Sequence, residues 1–250
     1  MVGGGADEEP EPAAMTVYNM ATRSLEERRQ PPLPLNFCSG VSCGGHVYSV
    51  GGLHARGHIE ASSVHAYVPD IDAWFPAPFL PTPLYGVAVA EHAGGIYACG
   101  GWALTAAEGT WRSSADVVML DTRSRAWFAL PSMPSPAAYA QAVAVGGRIY
   151  VPGGRMGEAR VFMRLACLQC YDVVAGRWDT GCAPMAAARC SSGVAAMGGE
   201  VWAVGGYCDS GEAGAFLSSV ERYSPGSNSW SPGVPLPIAC GSGCCVVVEH

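Results

Sequence analysis

Five diglycines divide this chain at near-regular intervals, at Gly4-Gly5, Gly51-Gly52, Gly100-Gly101, Gly153-Gly154 and Gly205-Gly206. Their second glycines are 47, 49, 53 and 52 residues apart, read from the numbering. Recurrence near fifty residues signals a repeat architecture, in which no unit buries its own apolar faces and each must pack on its neighbours. The rest of each unit keeps step. An aromatic or large apolar residue is followed seven positions later by Trp or Leu, in the pairs Tyr18/Leu25, Tyr67/Trp74, Leu120/Trp127, Tyr171/Trp178 and Tyr223/Trp230. Turn formers lie between the members, among them Pro69-Asp70, Asp121-Thr122 and Ser224-Pro225-Gly226, so each pair spans a β-hairpin. A second hairpin precedes four of the diglycines; in residues 194–204 two apolar runs flank the Gly198-Gly199 turn. The expectation is four strands per unit, a to d from a central axis outward.

The fullest unit reads Pro184-Met185, Arg189, Gly193-Val194, Gly198-Gly199, then Val201 to Gly206, Ser219 to Tyr223, and Trp230. This resembles the kelch repeat, in the form found in kelch-like proteins whose propellers follow BTB and BACK domains. The resemblance runs over nearly the whole chain. Two departures, Leu25 for tryptophan and Leu120 for tyrosine, stay apolar. The fold implied is all-β, a kelch-type propeller of five blades with four antiparallel strands each. Its repeats are expected at about 1–30 plus 241–249, 31–80, 81–134, 135–185 and 186–236. Residues 1–5 read as the tail of a strand b, and 241–249 as a strand a that closes the first blade. A start shortened by an alternative transcript or a partial gene model would account for the missing part of strand b, and a six-bladed ring with one blade lost is the other reading.

Composition narrows the function. No apolar run reaches the roughly 20 residues needed to span a bilayer, and no secretory leader stands at the start. Eleven cysteines, an odd number set mostly in strand patterns, suit reduced thiols in the cytoplasm, with the nucleus also open. Net charge is −7, of which Asp7, Glu8, Glu9 and Glu11 carry four. The rest of the chain is therefore near −3, which argues against a nucleic-acid partner. All fourteen basic residues are arginine; GC-rich coding accounts for this, and a ligase-bound propeller without lysine would also offer ubiquitin no side-chain acceptor.

No catalytic constellation emerges. Cys167 and Cys170 have zinc-like spacing but no second pair to complete four ligands, and the glycine pairs end strands and do not open helices. We therefore expect no enzyme activity, no metal and no cofactor. Binding is better supported. The d–a and b–c loops share one face of a propeller, and they diverge in sequence while the strands repeat. Large side chains gather there: Arg56 in the first such loop, Trp102, Trp111 and Arg112 in residues 102–115, Arg155 and Arg160 in 155–165, and Tyr207 in 207–217. Trp, Tyr and Arg dominate interaction hot spots. Arg189 matches the arginine that follows Pro-Met near the mouth in kelch-like repeats. These eight residues form the expected partner-binding set. By resemblance the partner is a protein, recognised as substrate for a cullin-RING ubiquitin ligase. Cullin contact would need the BTB and BACK modules, which these 250 residues do not hold. The alternative is a ligase-independent scaffold, for example one binding actin.

Overall fold

The computed structural model describes residues 15–33, 35–54, 62–105, 109–158, 161–209 and 215–241. Four sheets of four antiparallel strands succeed one another along the chain. The first holds Ser39–Cys43, His46–Val50, Val64–Val68 and Ala73–Pro76, and the second Ala88–His92, Gly95–Cys99, Val117–Asp121 and Ala126–Leu130. The third holds Val143–Val145, Arg148–Pro152, Leu168–Asp172 and Arg177–Asp179, and the fourth Gly193–Met197, Glu200–Val204, Val220–Ser224 and Ser229–Pro232. In each the strands lie in sequence order, as in a propeller blade. Ahead of them, Met15–Asn19 pairs with Ser24–Arg28 as a hairpin at the strand c and d positions. The expected strand b remnant near Gly4-Gly5 and the closing strand at 241–249 lie outside the described residues, save for Gly241.

Each sheet twists, so its apolar faces are buried only against the next sheet. Val50 and Val64 of the first meet Ile96, Ala98 and Leu120 of the second. Ala88 and Cys99 of the second meet Ile149, Val151 and Tyr171 of the third, and Tyr150 and Cys170 of the third meet Val194, Val201 and Tyr223 of the fourth. The core is thus a series of seams between blades. The seven-residue pairs work in these seams. Trp74 Nε1 donates to the Arg29 carbonyl (2.8 Å), Trp127 to Pro78 (2.9 Å), Trp178 to Pro131 (2.7 Å) and Trp230 to Ala183 (2.8 Å). Every acceptor belongs to the preceding unit, and the first of them seats the hairpin beside the first sheet. Replacing Trp178 by Phe keeps the ring against Tyr171 and removes one such bond, a loss of about 1 kcal/mol measured by urea unfolding.

The diglycines bind the units on the other side of the fold. In the four pairs from Gly51-Gly52 onward, the first glycine donates to its own strand c approach and the second to the following unit, as in Gly100 N to Asp116 O (2.8 Å) and Gly101 N to Ala137 O (2.8 Å). Gly52, Gly154 and Gly206 donate in the same way to Leu84, Arg189 and Cys240. A second recurring device lies nearer the axis. Phe37, Gly86, Tyr139 and Ser191 all have positive φ, between 51° and 58°. Each lies fifteen residues before the second glycine of its unit. Gly86 N donates to Phe37 O (2.9 Å), Tyr139 N to Gly86 O (2.8 Å) and Ser191 N to Tyr139 O (2.7 Å). One backbone chain of hydrogen bonds therefore crosses all four units.

Candidate partner-binding face

Past each of the four diglycines from Gly51-Gly52 onward, the described residues do not leave the fold as a loose loop. They pair with the segment leading into strand a and build a short ribbon on that face. Leu53–His54 pairs with Leu35–Asn36, and Trp102–Thr105 lies between Leu84–Tyr85 and Thr110–Ser113. Arg155–Gly157 pairs with Phe162–Arg164, and Tyr207–Cys208 with Ala215–Phe216. Neighbouring ribbons join through an Arg112–Glu158 bridge and through Gly157 N donating to Ser113 Oγ (2.9 Å). The face is hence a stiffened surface, and side chains on it keep fixed relations.

Those side chains form a row of rings and guanidinium groups. Phe37 meets Tyr139 edge-on at 5.6 Å, and Tyr85 contacts Phe37, Trp102, Trp111 and Tyr139. The Arg155 guanidinium lies 3.5 Å from the Phe162 ring centre, 5.3 Å from Tyr139 and 5.7 Å from Trp102, distances at which a cation is attracted to an aromatic face. Arg164 continues the row, 4.4 Å from Tyr207, which in turn contacts Phe216. Arg164 is ion-paired with Asp209 and nearly enclosed. Arg155 has no carboxylate partner among the described residues; its Nε is buried, and the residue keeps part of its exposure. Phe37 and Phe216 stand exposed along the row.

Burial sets the ionisation here. It pushes the Tyr85 phenol up to about 12, with Tyr139 adding to the rise and Arg155 opposing it. Tyr139 is raised by burial as well, again against Arg155. Both phenols stay neutral at physiological pH and present O–H donors. A phenol whose folded value is raised stabilises the fold fully below its unfolded value, and that share is lost as pH climbs through the folded value. The thermal midpoint should therefore fall between pH 10, the ordinary tyrosine value, and about 12. Absorbance at 295 nm should show a late tyrosine titration over the same interval, and Tyr85→Phe should diminish it.

The expected contact residues divide. Trp111, Arg112, Arg155 and Tyr207 do sit together on this face. Trp102 lies beneath them, 2% exposed, and supports Tyr85 and Arg155 as a floor. Arg56 and Arg160 fall outside the described residues. Arg189 is a correction: it is fully buried, because its guanidinium turns inward to Glu221. It donates to Glu221, to the Gly205 carbonyl (2.9 Å), and to Ser219 O and Oγ (3.2 and 3.1 Å). Glu221 also accepts from the Ala186 amide (2.7 Å). This ion pair locks the segment before the fourth sheet onto that sheet, so Arg189 is structural. Phe37, Tyr85 and Tyr139 belong to the row and were not among the expected residues. Aligning the units on their diglycines would have put Phe37 and Tyr139 at one recurring position.

On the opposite face, a depression of about 420 Å³ lies among His92, Gly95, Met119, Asp121, Arg123 and Phe128. It brings no catalytic grouping together. Among the described residues no helix is long and apolar enough to cross a membrane.

Known proteins agree with this geometry. Kelch motifs match residues 83–134 and 188–237. Kelch-like protein 36 of Mus musculus is 30% identical over 203 residues, spanning 80% of this chain and 32% of that protein. Kelch-like protein terF of Aspergillus terreus is 27% identical over 88% of this chain and 50% of its own length. Beta-scruin of Limulus polyphemus is 28% identical over 84% of this chain and 23% of its own. The chain thus spans half or less of these curated relatives. The solved structure of YjhT superposes with a TM-score of 0.72 at 17% identity, over 86% of this chain and 69% of that one, which fixes the fold as a propeller.

Proposed function

We propose, from the premise that this chain is built of kelch repeats in a propeller, that it captures a protein partner on the face carrying the ribbons. The observation that carries this reading is the row of rings and arginines from Phe37 to Phe216, rigidly held and partly exposed. Aromatic side chains, with two χ angles, lose little conformational entropy on binding, and Trp, Tyr and Arg supply most hot-spot energy. Arg155 anchors the middle of the row, Trp111 and Phe37 one end, and Tyr207 and Phe216 the other; Arg56, Arg112 and Arg160 join the set as expected contacts.

Within that reading the partner is a substrate brought to a cullin-RING ligase, as the likeness to Kelch-like proteins suggests, with cullin bound by segments other than this propeller. The likeness to Beta-scruin favours a second reading, a scaffold independent of any ligase. Affinity capture from cells tests both. A partner retained by the wild-type chain and by Phe128→Ala on the opposite face, and lost with Phe37→Ala plus Trp111→Ala, supports recognition by the ribbon face. Equal retention by all three overturns it. A partner that accumulates when cullins are inhibited supports the ligase reading, and one that does not favours the scaffold.

A further inference from the structure

Three arginines of this protein have enclosed guanidinium groups or rings around them, and two are satisfied. Arg189 has Glu221 and three further acceptors, and Arg164 has Asp209. Arg155 is different. Its Nε is buried without an acceptor, and no ion pair or side-chain hydrogen bond among the described residues satisfies the rest of its guanidinium. Phe162, Tyr139 and Trp102 stand around it, with ring centres at 3.5, 5.3 and 5.7 Å. Ring faces attract the cation but leave its N–H donors without oxygen acceptors. The nearby phenols cannot neutralise it, because Tyr85 and Tyr139 both keep their protons at neutral pH. Withdrawing a charge from water without a partner is costly. The residue is still partly exposed, so an acceptor can reach it from outside.

We infer that Arg155 receives the carboxylate of one aspartate or glutamate of the protein partner, whose flanking apolar residues rest on Phe37 and Phe216. This inference rests on capture by the ribbon face and names the chemistry that the face selects. Geometry favours a carboxylate, since a guanidinium presents its N–H groups in one plane and matches two oxygens at once. Charge favours a single one. Arg164, opposite Arg155 in the ribbon register, is already neutralised by Asp209, so one positive charge is left over. A phosphoryl group, at about −1.5 to −2 near neutral pH, would bring surplus negative charge among the rings. The flanks are apolar: Phe37 meets Tyr139 at 5.6 Å on one side, and Phe216 meets Tyr207 beyond Arg164 on the other.

Selection from a random-peptide display library on the purified chain supplies the ligands for the test. The selected peptides are expected to share one Asp or Glu between apolar residues. Changing that residue to its amide should weaken binding about tenfold or more by titration calorimetry, and phosphoserine in its place should weaken it too. Arg155→Lys keeps the charge without the planar fork, and should shrink the preference for the acidic peptide over its amide form. A purely structural Arg155 would leave that preference unchanged. Peptides that lose affinity with Phe37→Ala plus Trp111→Ala, yet tolerate the amide, overturn the carboxylate site and leave capture by this face standing. Failure to select any peptide sensitive to those two substitutions overturns both. A phosphoserine peptide that binds more tightly than the acidic one overturns the choice of carboxylate. Should Arg155→Lys unfold early, the change made in the peptide alone still decides, since it leaves the protein untouched.

Discussion

Arg189→Ala is expected to destabilise the protein by about 3–5 kcal/mol, the cost of leaving a buried carboxylate without its cation. Glu221 would keep its bonds from the Ala186 and Ala187 amides. It would lose the guanidinium that also satisfies the Gly205 and Ser219 carbonyls. Equilibrium unfolding in urea measures the loss as a lower midpoint with an unchanged slope. Glu221→Leu alone should cost a similar amount, since it strands the arginine. The double variant Arg189→Met with Glu221→Leu should recover much of the stability, because an apolar pair replaces both charges. If Arg189 instead reached the partner surface, Arg189→Ala would leave the midpoint in place and reduce capture. Partner-binding tests should therefore avoid Arg189, where unfolding would imitate lost recognition.

Gly100→Ala is expected to cost about 3 kcal/mol or more, through left-handed backbone strain and overpacking together. Its φ is +64°, and an added Cβ would press into the Ala137 carbonyl and stand 2.7 Å from Met133 Cε. The flexible end of Met133 can shift, but the Ala137 carbonyl is backbone held by its bond from Gly101 and cannot yield easily. Gly146→Ala separates the two causes. Its φ is +56° with nothing within 4 Å of the added atom, so strain alone remains, about 1 kcal/mol. Thermal unfolding of the pair should show Gly100→Ala displaced several times further. Equal displacements would mean that the close approach of the next unit contributes nothing.

That comparison also explains why the fold was legible. The diglycine and the Tyr/Trp pair are each tied to the adjacent unit, one by a carbonyl pressed against Gly100 and the other by an indole bond such as Trp178 to Pro131. A constraint that every seam imposes must recur in the sequence at the period of the seams. Recognition residues carry no such recurrence. Arg189 and Arg155 look alike as letters near a strand end, and only the pairing with Glu221, 32 residues onward, turns the first inward. Trp102 was readable as a loop aromatic; the strand pairing of Tyr85 and Trp102 places it under the surface. Tyr139 and Phe37 escaped notice because a positive φ leaves no mark on a non-glycine residue.

The hydrogen-bonded series Phe37, Gly86, Tyr139 and Ser191 bears on how such a protein changes its allegiance. Each of these main-chain positions is tied to a neighbouring unit by at least one backbone hydrogen bond, and at Phe37 the side chain stands exposed. They act as identical sockets holding different fittings: a benzyl, a hydrogen, a phenol and a hydroxymethyl. Exchange of the exposed Phe37 side chain would alter what the face presents while its carbonyl still accepts from Gly86. The vacancy at Gly86 is the exception, because the Tyr139 ring already fills the space a Cβ would need. A change at Gly86 is therefore felt at Tyr139.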